Sequence, residues 1–195
     1  NHNGRDLGIM LYGAFLKIND KNRIDYRIGV FNGEGINVND SNDAKSSAGR
    51  LIVHIMKGLD VGTSYYSGWD RFSTTKGEPT TNQERSRYGF ELNYDYKRFY
   101  FRGEYLQGKD GAISREGWYV QSGYFILANK VQLLAKYDVY DPNKSKVNDM
   151  STRYTVGATW NFNNWSKLAL NYNFCEEEGT SIKNNFASIQ FQIGF

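Results

Sequence analysis

Arg27, Arg50, Arg87, Arg102, Lys136, Arg153 and Lys167 all fall on the polar side of stretches in which polar and apolar residues alternate. A row of such groups on one face can attract and pass anions. Arginine suits oxyanions because its planar fork donates two parallel hydrogen bonds and stays charged. The same side carries Asp25, Asp60, Glu91, Asp95, Glu104 and Asp138. Arg50, Arg87 and Arg153 lie toward the long-loop ends of their stretches, whereas Asp60 and Asp95 lie next to tight turns. That gradient would draw anions through a basic vestibule. The competing reading is a wall of cross-strand ion pairs, such as Arg102 with Glu91 or Glu104, which stiffens without selecting.

Other chemistry finds less support. His54 is the only histidine inside an alternating stretch, and neither Gly-x-Ser-x-Gly nor His-Glu-x-x-His occurs, so no catalytic residue and no enzyme activity are expected. By parity His54 faces the polar side, as a satisfied wall histidine. Cys175 stands alone, which leaves no internal disulfide and no cysteine-based metal site. The acidic segment Asn37 to Asp43 could hold calcium but lacks the glycine and terminal glutamate of an EF-hand, and Gly33-Glu34-Gly35 reads as a loop rather than a nucleotide motif. No metal and no cofactor are expected. A net charge of +3, without a basic cluster interleaved with stacking aromatics, does not suggest a nucleic-acid partner.

The stretches that must position these groups are strands. Tight turns at Lys17 to Asn22, Lys57-Gly58, Lys97-Arg98, Ala128 to Lys130 and Asn163-Asn164 alternate with polar loops at Asn32 to Lys45, Asp70 to Glu84, Gly108 to Ser114, Asp141 to Met150 and Glu176 to Asn184. Arg85 to Tyr96 is the clearest strand, with Tyr88, Phe90, Leu92, Tyr94 and Tyr96 opposite Arg87, Gly89, Glu91, Asn93 and Asp95. Leu7 to Leu16 is apolar on both faces, which leaves its parity unassigned. Both prolines, Pro79 and Pro142, fall in loops, as unbroken hydrogen-bonded ladders require.

Mean hydropathy is only −0.65, yet this does not argue for a water-soluble chain, because in a barrel wall only every second residue meets lipid. Aromatics make up 16% of the residues and sort to the ends of the apolar faces. Trp69, Tyr88, Trp118, Tyr137, Tyr154 and Tyr172 lie on the loop side; Tyr26, Tyr94, Tyr96, Phe99, Tyr124, Trp160, Phe162 and Phe195 lie on the turn side. Two girdles with Ile, Val and Leu between them define an all-β, antiparallel transmembrane β-barrel with the lipid bilayer as partner. No apolar run reaches the length of a membrane helix, and no signal peptide opens the chain. A soluble β-sandwich that binds glycans is the rival, and it requires apolar faces that meet each other.

Eleven strands are expected, and bacterial single-chain barrels have an even number, so residues 1–195 read as a single domain that is part of a larger barrel whose N-terminal strands are missing. The opening Asn3-Gly4-Arg5-Asp6-Leu7-Gly8-Ile9-Met10-Leu11-Tyr12-Gly13, the segment Gly117-Trp118-Tyr119-Val120-Gln121-Ser122-Gly123-Tyr124 and the terminal Phe195 resemble the C-terminal part of phosphate-selective porins O and P of Gram-negative outer membranes. The resemblance implies the last eleven of about sixteen strands, with the constriction loop lying before the segment like Arg5-Asp6. It implies small anionic solutes such as phosphate, a homotrimer, and an outer-membrane location. It also implies that Ile189, Phe191, Ile193 and Phe195 are read by the outer-membrane assembly machinery. A general non-specific or oligosaccharide porin is the alternative.

Overall fold

In the computed structural model the described residues are 6–19, 21–33, 44–72, 81–179 and 182–194, with the side chains of 70–72 excepted. Asn3 to Arg5, Gly33-Glu34-Gly35 beyond its first residue, the acidic segment 37–43, Pro79 and Phe195 lie outside them. The strands are β1 (Gly8–Ile18), β2 (Lys21–Phe31), β3 (Ser46–Met56), β4 (Leu59–Phe72), β5 (Thr81–Tyr96) and β6 (Phe99–Asp110). They continue with β7 (Ile113–Leu127), β8 (Val131–Asp141), β9 (Ser151–Asn161), β10 (Ser166–Glu177) and β11 (Phe186–Ile193). Each strand hydrogen-bonds to its neighbours in sequence order, in one antiparallel sheet.

Among the described residues no hydrophobic side chain is buried. Apolar side chains instead stand out from the sheet, Ile9 at 85%, Ile189 at 74% and Phe90 at 58% exposure. A sandwich cannot be built this way, since its strands bury one face against a second sheet. The exposed apolar side needs an apolar solvent.

Two compact units divide the chain: Asn1–Phe90 with Leu106–Arg115, and Glu91–Tyr105 with Glu116–Phe195. In the first, direct register pairs align Tyr12, Arg27, Arg50 and Ser64 on one face, and Leu11, Ile28 and Gly49 on the other. This settles the parity of β1. Met10, Tyr12 and Ala14 share the face of Arg27 and Asp25, while Ile9, Leu11 and Phe15 share that of Ile24 and Ile28.

In the second unit the apolar face repeats row by row: Val120, Tyr137, Tyr154 and Phe174; then Ser122, Ala135, Val156 and Tyr172; then Tyr124, Leu133, Ala158 and Leu170. Aromatic contacts cluster at both ends of this face. Trp118 packs on Tyr137 at 5.2 Å and Tyr137 on Tyr154 at 4.7 Å toward the loops. Trp160 stacks with Phe162 at 5.5 Å, and Phe162 meets Phe191 at 6.2 Å, toward the turns. In this unit, part of each girdle read from the sequence is therefore a physical cluster.

One expected loop is corrected. Gly108 to Ser114 is not a long connection, because β6 runs to Asp110 and β7 resumes at Ile113, with Gly111 and Ala112 between them. Gly111 takes a φ of +57°, and its N–H donates to Glu84 O at 2.8 Å. Glycine is favoured at the first of the two turn residues because it enters the left-handed region without a Cβ penalty. The strands here are also long, 16, 12 and 15 residues for β5, β6 and β7, against the 9–11 that suffice to cross a bilayer. Beyond Tyr88 toward the loop, β5 reads Thr-Asn-Gln-Glu-Arg-Ser-Arg, polar at both parities. That stretch stands in water on both sides.

Candidate pore lining

The polar face of the first unit holds two clusters. At the loop ends of β5, β6 and β7, three arginines converge on one carboxylate. Arg85 Nε donates to Asp110 Oδ1 at 3.0 Å, and Arg87 Nη2 to the same oxygen at 2.5 Å. Arg115 Nε stands 3.3 Å from Oδ2, close enough for an ion pair but without hydrogen-bond geometry. Asp110 is buried at 9% exposure. Arg87 Nη1 also donates to Lys109 O at 2.9 Å and lies across Gly108, where a Cβ would stand 2.9 Å from Arg87 Cδ. The side chain is thus laid along the wall rather than into open space.

At the turn ends of β2, β3 and β4, His54 bridges two carboxylates. Its Nδ1 is 2.7 Å from Asp60 Oδ1 and its Nε2 is 3.1 Å from Asp25 Oδ2. Arg23 Nη1 donates to His54 O at 3.2 Å and fixes the backbone of the same strand. Between the two clusters, Arg27 and Arg50 are directly opposed in register. Like charges directly opposite destabilise a sheet.

The second unit pairs several of its charges. Arg102 Nη2 donates to both oxygens of Asp95 at 2.8 Å, and its Nη1 to Tyr94 O at 3.0 Å. The cross-strand pair expected for Arg102 therefore exists, with Asp95 as the partner in place of the expected Glu91 or Glu104. Glu104 instead hydrogen-bonds Tyr119, which also lies in the field of Glu91. Lys136 Nζ is 3.3 Å from Asp138 Oδ2 and 4.7 Å over the Tyr119 ring. Arg153 is in register with Asp138 and Cys175, and its guanidinium lies 5.9 Å over Phe186. Lys167 is in register with Asn161 and Gln192.

Tyr100 lies flat over Gly123, where an added Cβ would fall within the ring, and its hydroxyl accepts from Gln121 Nε2 at 2.8 Å. The glycine keeps that ring against the wall. On the apolar side, Glu116 gathers Tyr105 and the loop residue Lys144. The hydrogen bond it donates to Glu116 holds the Lys144 ammonium above the ordinary lysine range. No group of three or more metal-ligating side chains occurs among the described residues.

Residues that the sequence did not single out are Arg85, Asp110 and Arg115. The Gly-Ala step was their signal, since a two-residue turn there sets Asp110 opposite Ile113 and diagonal to Arg115 on the same face. Ile189 and Phe191 are paired with Leu170 and Leu168 on the outer row of β10 and β11, and Ile193 is in register with Ser166.

A single antiparallel wall with a charged side, an apolar side and aromatic bands at both ends is that of an outer-membrane β-barrel. Residues 35–193 match the family of phosphate-selective porin O and P, and the chain belongs to that family. Its location is the outer membrane of a Gram-negative bacterium.

Solved structures agree on the fold. The trimer form of in-vitro folded OmpT, an outer membrane protein of Vibrio cholerae, superposes with a TM-score of 0.66 at 12% identity, over 97% of this chain and 64% of that one. A second in-vitro folded OmpT structure of Vibrio cholerae gives 0.59 at 15% identity, over 86% and 53%. The loop L8 deletion mutant of that protein gives 0.52 at 16% identity, over 90% and 63%. The chain thus spans between about half and two thirds of the length of these structures. No curated protein matches it.

Proposed function

We propose that the chain builds part of the wall of a water-filled outer-membrane pore that passes small hydrophilic solutes, with preference for anions such as phosphate. The carrying observation is the mouth cluster, in which three arginines share one aspartate. Three guanidinium groups gather there around that one carboxylate, in a position that incoming solutes must pass. The opposed Arg27 and Arg50 extend the basic lining inward. The acidic groups Asp25, Asp60 and Asp95 sit next to the tight turns, which are periplasmic in such barrels. Charge at the entrance steers and concentrates ions of the opposite sign.

We further propose that Asp95 with Arg102, Glu104 with Tyr119, and Asp138 with Lys136 and Arg153 stiffen the wall, that the functional unit is a homotrimer, and that residues 1–195 act as one domain of it. The last strand, through Ile189, Phe191, Ile193 and Phe195, would be read by the assembly machinery. Membership of a porin family supports a channel over an enzyme.

A general porin is favoured instead by the self-neutralised pairs Arg102 with Asp95 and Lys136 with Asp138. Reversal potentials of the full-length protein in planar bilayers under a salt gradient decide between the two. Anion preference with block of chloride current by phosphate is the expected result, and it should weaken when Arg87 is replaced by Gln. A current without ion preference would leave the general porin.

A further inference from the structure

His54 sits where three strands meet, with a carboxylate on each ring nitrogen. An ionised carboxylate only accepts hydrogen bonds, so both contacts are satisfied together only when both ring nitrogens carry a proton. A neutral ring has one bare nitrogen, and its lone pair would then face an aspartate oxygen. The bridge at 2.7 Å to Asp60 and 3.1 Å to Asp25 is therefore complete in the imidazolium form alone. Histidine is the side chain whose proton leaves between about pH 5 and 8.

The surroundings leave this proton as the variable charge. From β2 come Asp25 and Arg23, the latter bound to the carbonyls of His54 and Ile55. From β4 comes Asp60, and Lys21 and Lys57 line the same depression at the turn end. Aspartate, lysine and arginine keep their charge across that range. The ring and its two partners carry a net charge of minus one with the proton and minus two without it.

We infer that His54 is a positioning residue that sets the charge and placement of Asp25 and Asp60 at the periplasmic end of the pore, making ion preference respond to pH. Protonated, it pins both carboxylates to the wall. Deprotonated, it releases one of them toward the lumen and adds a negative charge to the exit. Anion passage is then favoured at low pH and reduced as pH rises. This rests on the channel reading above.

The test uses the full-length protein. Its anion-to-cation permeability ratio in planar bilayers should fall about twofold between pH 5 and pH 8, and His54→Gln should remove that step. A flat wild-type profile, or a step that survives in the variant, overturns the inference. Ring-nitrogen NMR in detergent micelles gives a readout independent of conductance. Both nitrogens of His54 should carry protons at pH 5, and the midpoint should move to lower pH in both Asp25→Asn and Asp60→Asn. A midpoint indifferent to both variants overturns the bridge whether or not current is seen. Absence of any channel current counts against the pore itself, and the ring titration still decides whether His54 holds the carboxylates.

Discussion

Asp110→Asn is expected to destabilise the folded barrel by about 2 kcal/mol and to raise its anion preference at the same time. Asp110 is the shared partner of Arg85, Arg87 and Arg115. Removing one partner of a buried ion pair costs about 3–5 kcal/mol because the other charge is left uncompensated. The arginine side chains here are 27–38% exposed, so water recovers part of that loss, which sets the lower figure. The guanidiniums would then lose the negative charge they share at the mouth. Denaturant unfolding in lipid vesicles measures the first effect and reversal potential the second. A change below about 0.5 kcal/mol would mean that the arginines are held by their backbone contacts, of which Arg87 to Lys109 O is one.

The second large effect lies on the opposite face. Val156 is 50% exposed in the middle of the apolar rows, between Ala135 and Tyr172 in register. Val156→Arg should cost about 2–4 kcal/mol, the value for arginine at the bilayer midplane. Thr152, on the same face near the loop end, should accept arginine for less than about 1 kcal/mol, because side chains there reach the headgroups. Thr159, three residues away on the charged face, should also tolerate it. Folding free energies of the three variants in one lipid composition form the test. Equal costs at 152 and 156 would refute a lipid-facing band.

Much of this was legible in the residues. Alternation placed Arg27, Arg50, Arg102, Lys136, Arg153 and Lys167 on one face, and the register pairs bring their neighbours together as parity requires. The tight turns at Lys57-Gly58 and Lys97-Arg98 fall where expected. The mouth was not legible, for a physical reason. Alternation reports a wall with water on one side and lipid on the other, and above the headgroups both sides are water. Polar residues then occupy both parities, and Gly108, Lys109 and Asp110 look like loop. The partner of Arg102 was missed for a different reason: parity selects a face, whereas the choice among acids on that face depends on cross-strand register. The parity of β1 also needed the pairing with β2, since neither of its faces is polar.

The long β5, β6 and β7 hairpins have one more consequence. At about 3.3 Å per residue, β5 alone runs for about 50 Å along its axis, twice the height of the apolar band before tilt is allowed for. Beyond the band, β6 and β7 stand above the cell surface as a ladder-bonded ridge closed by a two-residue turn that offers a protease no slack. The connection through residues 142–150, by contrast, presents Val147 at 85% exposure. The basic mouth is therefore carried by a stiff ridge rather than by a yielding loop.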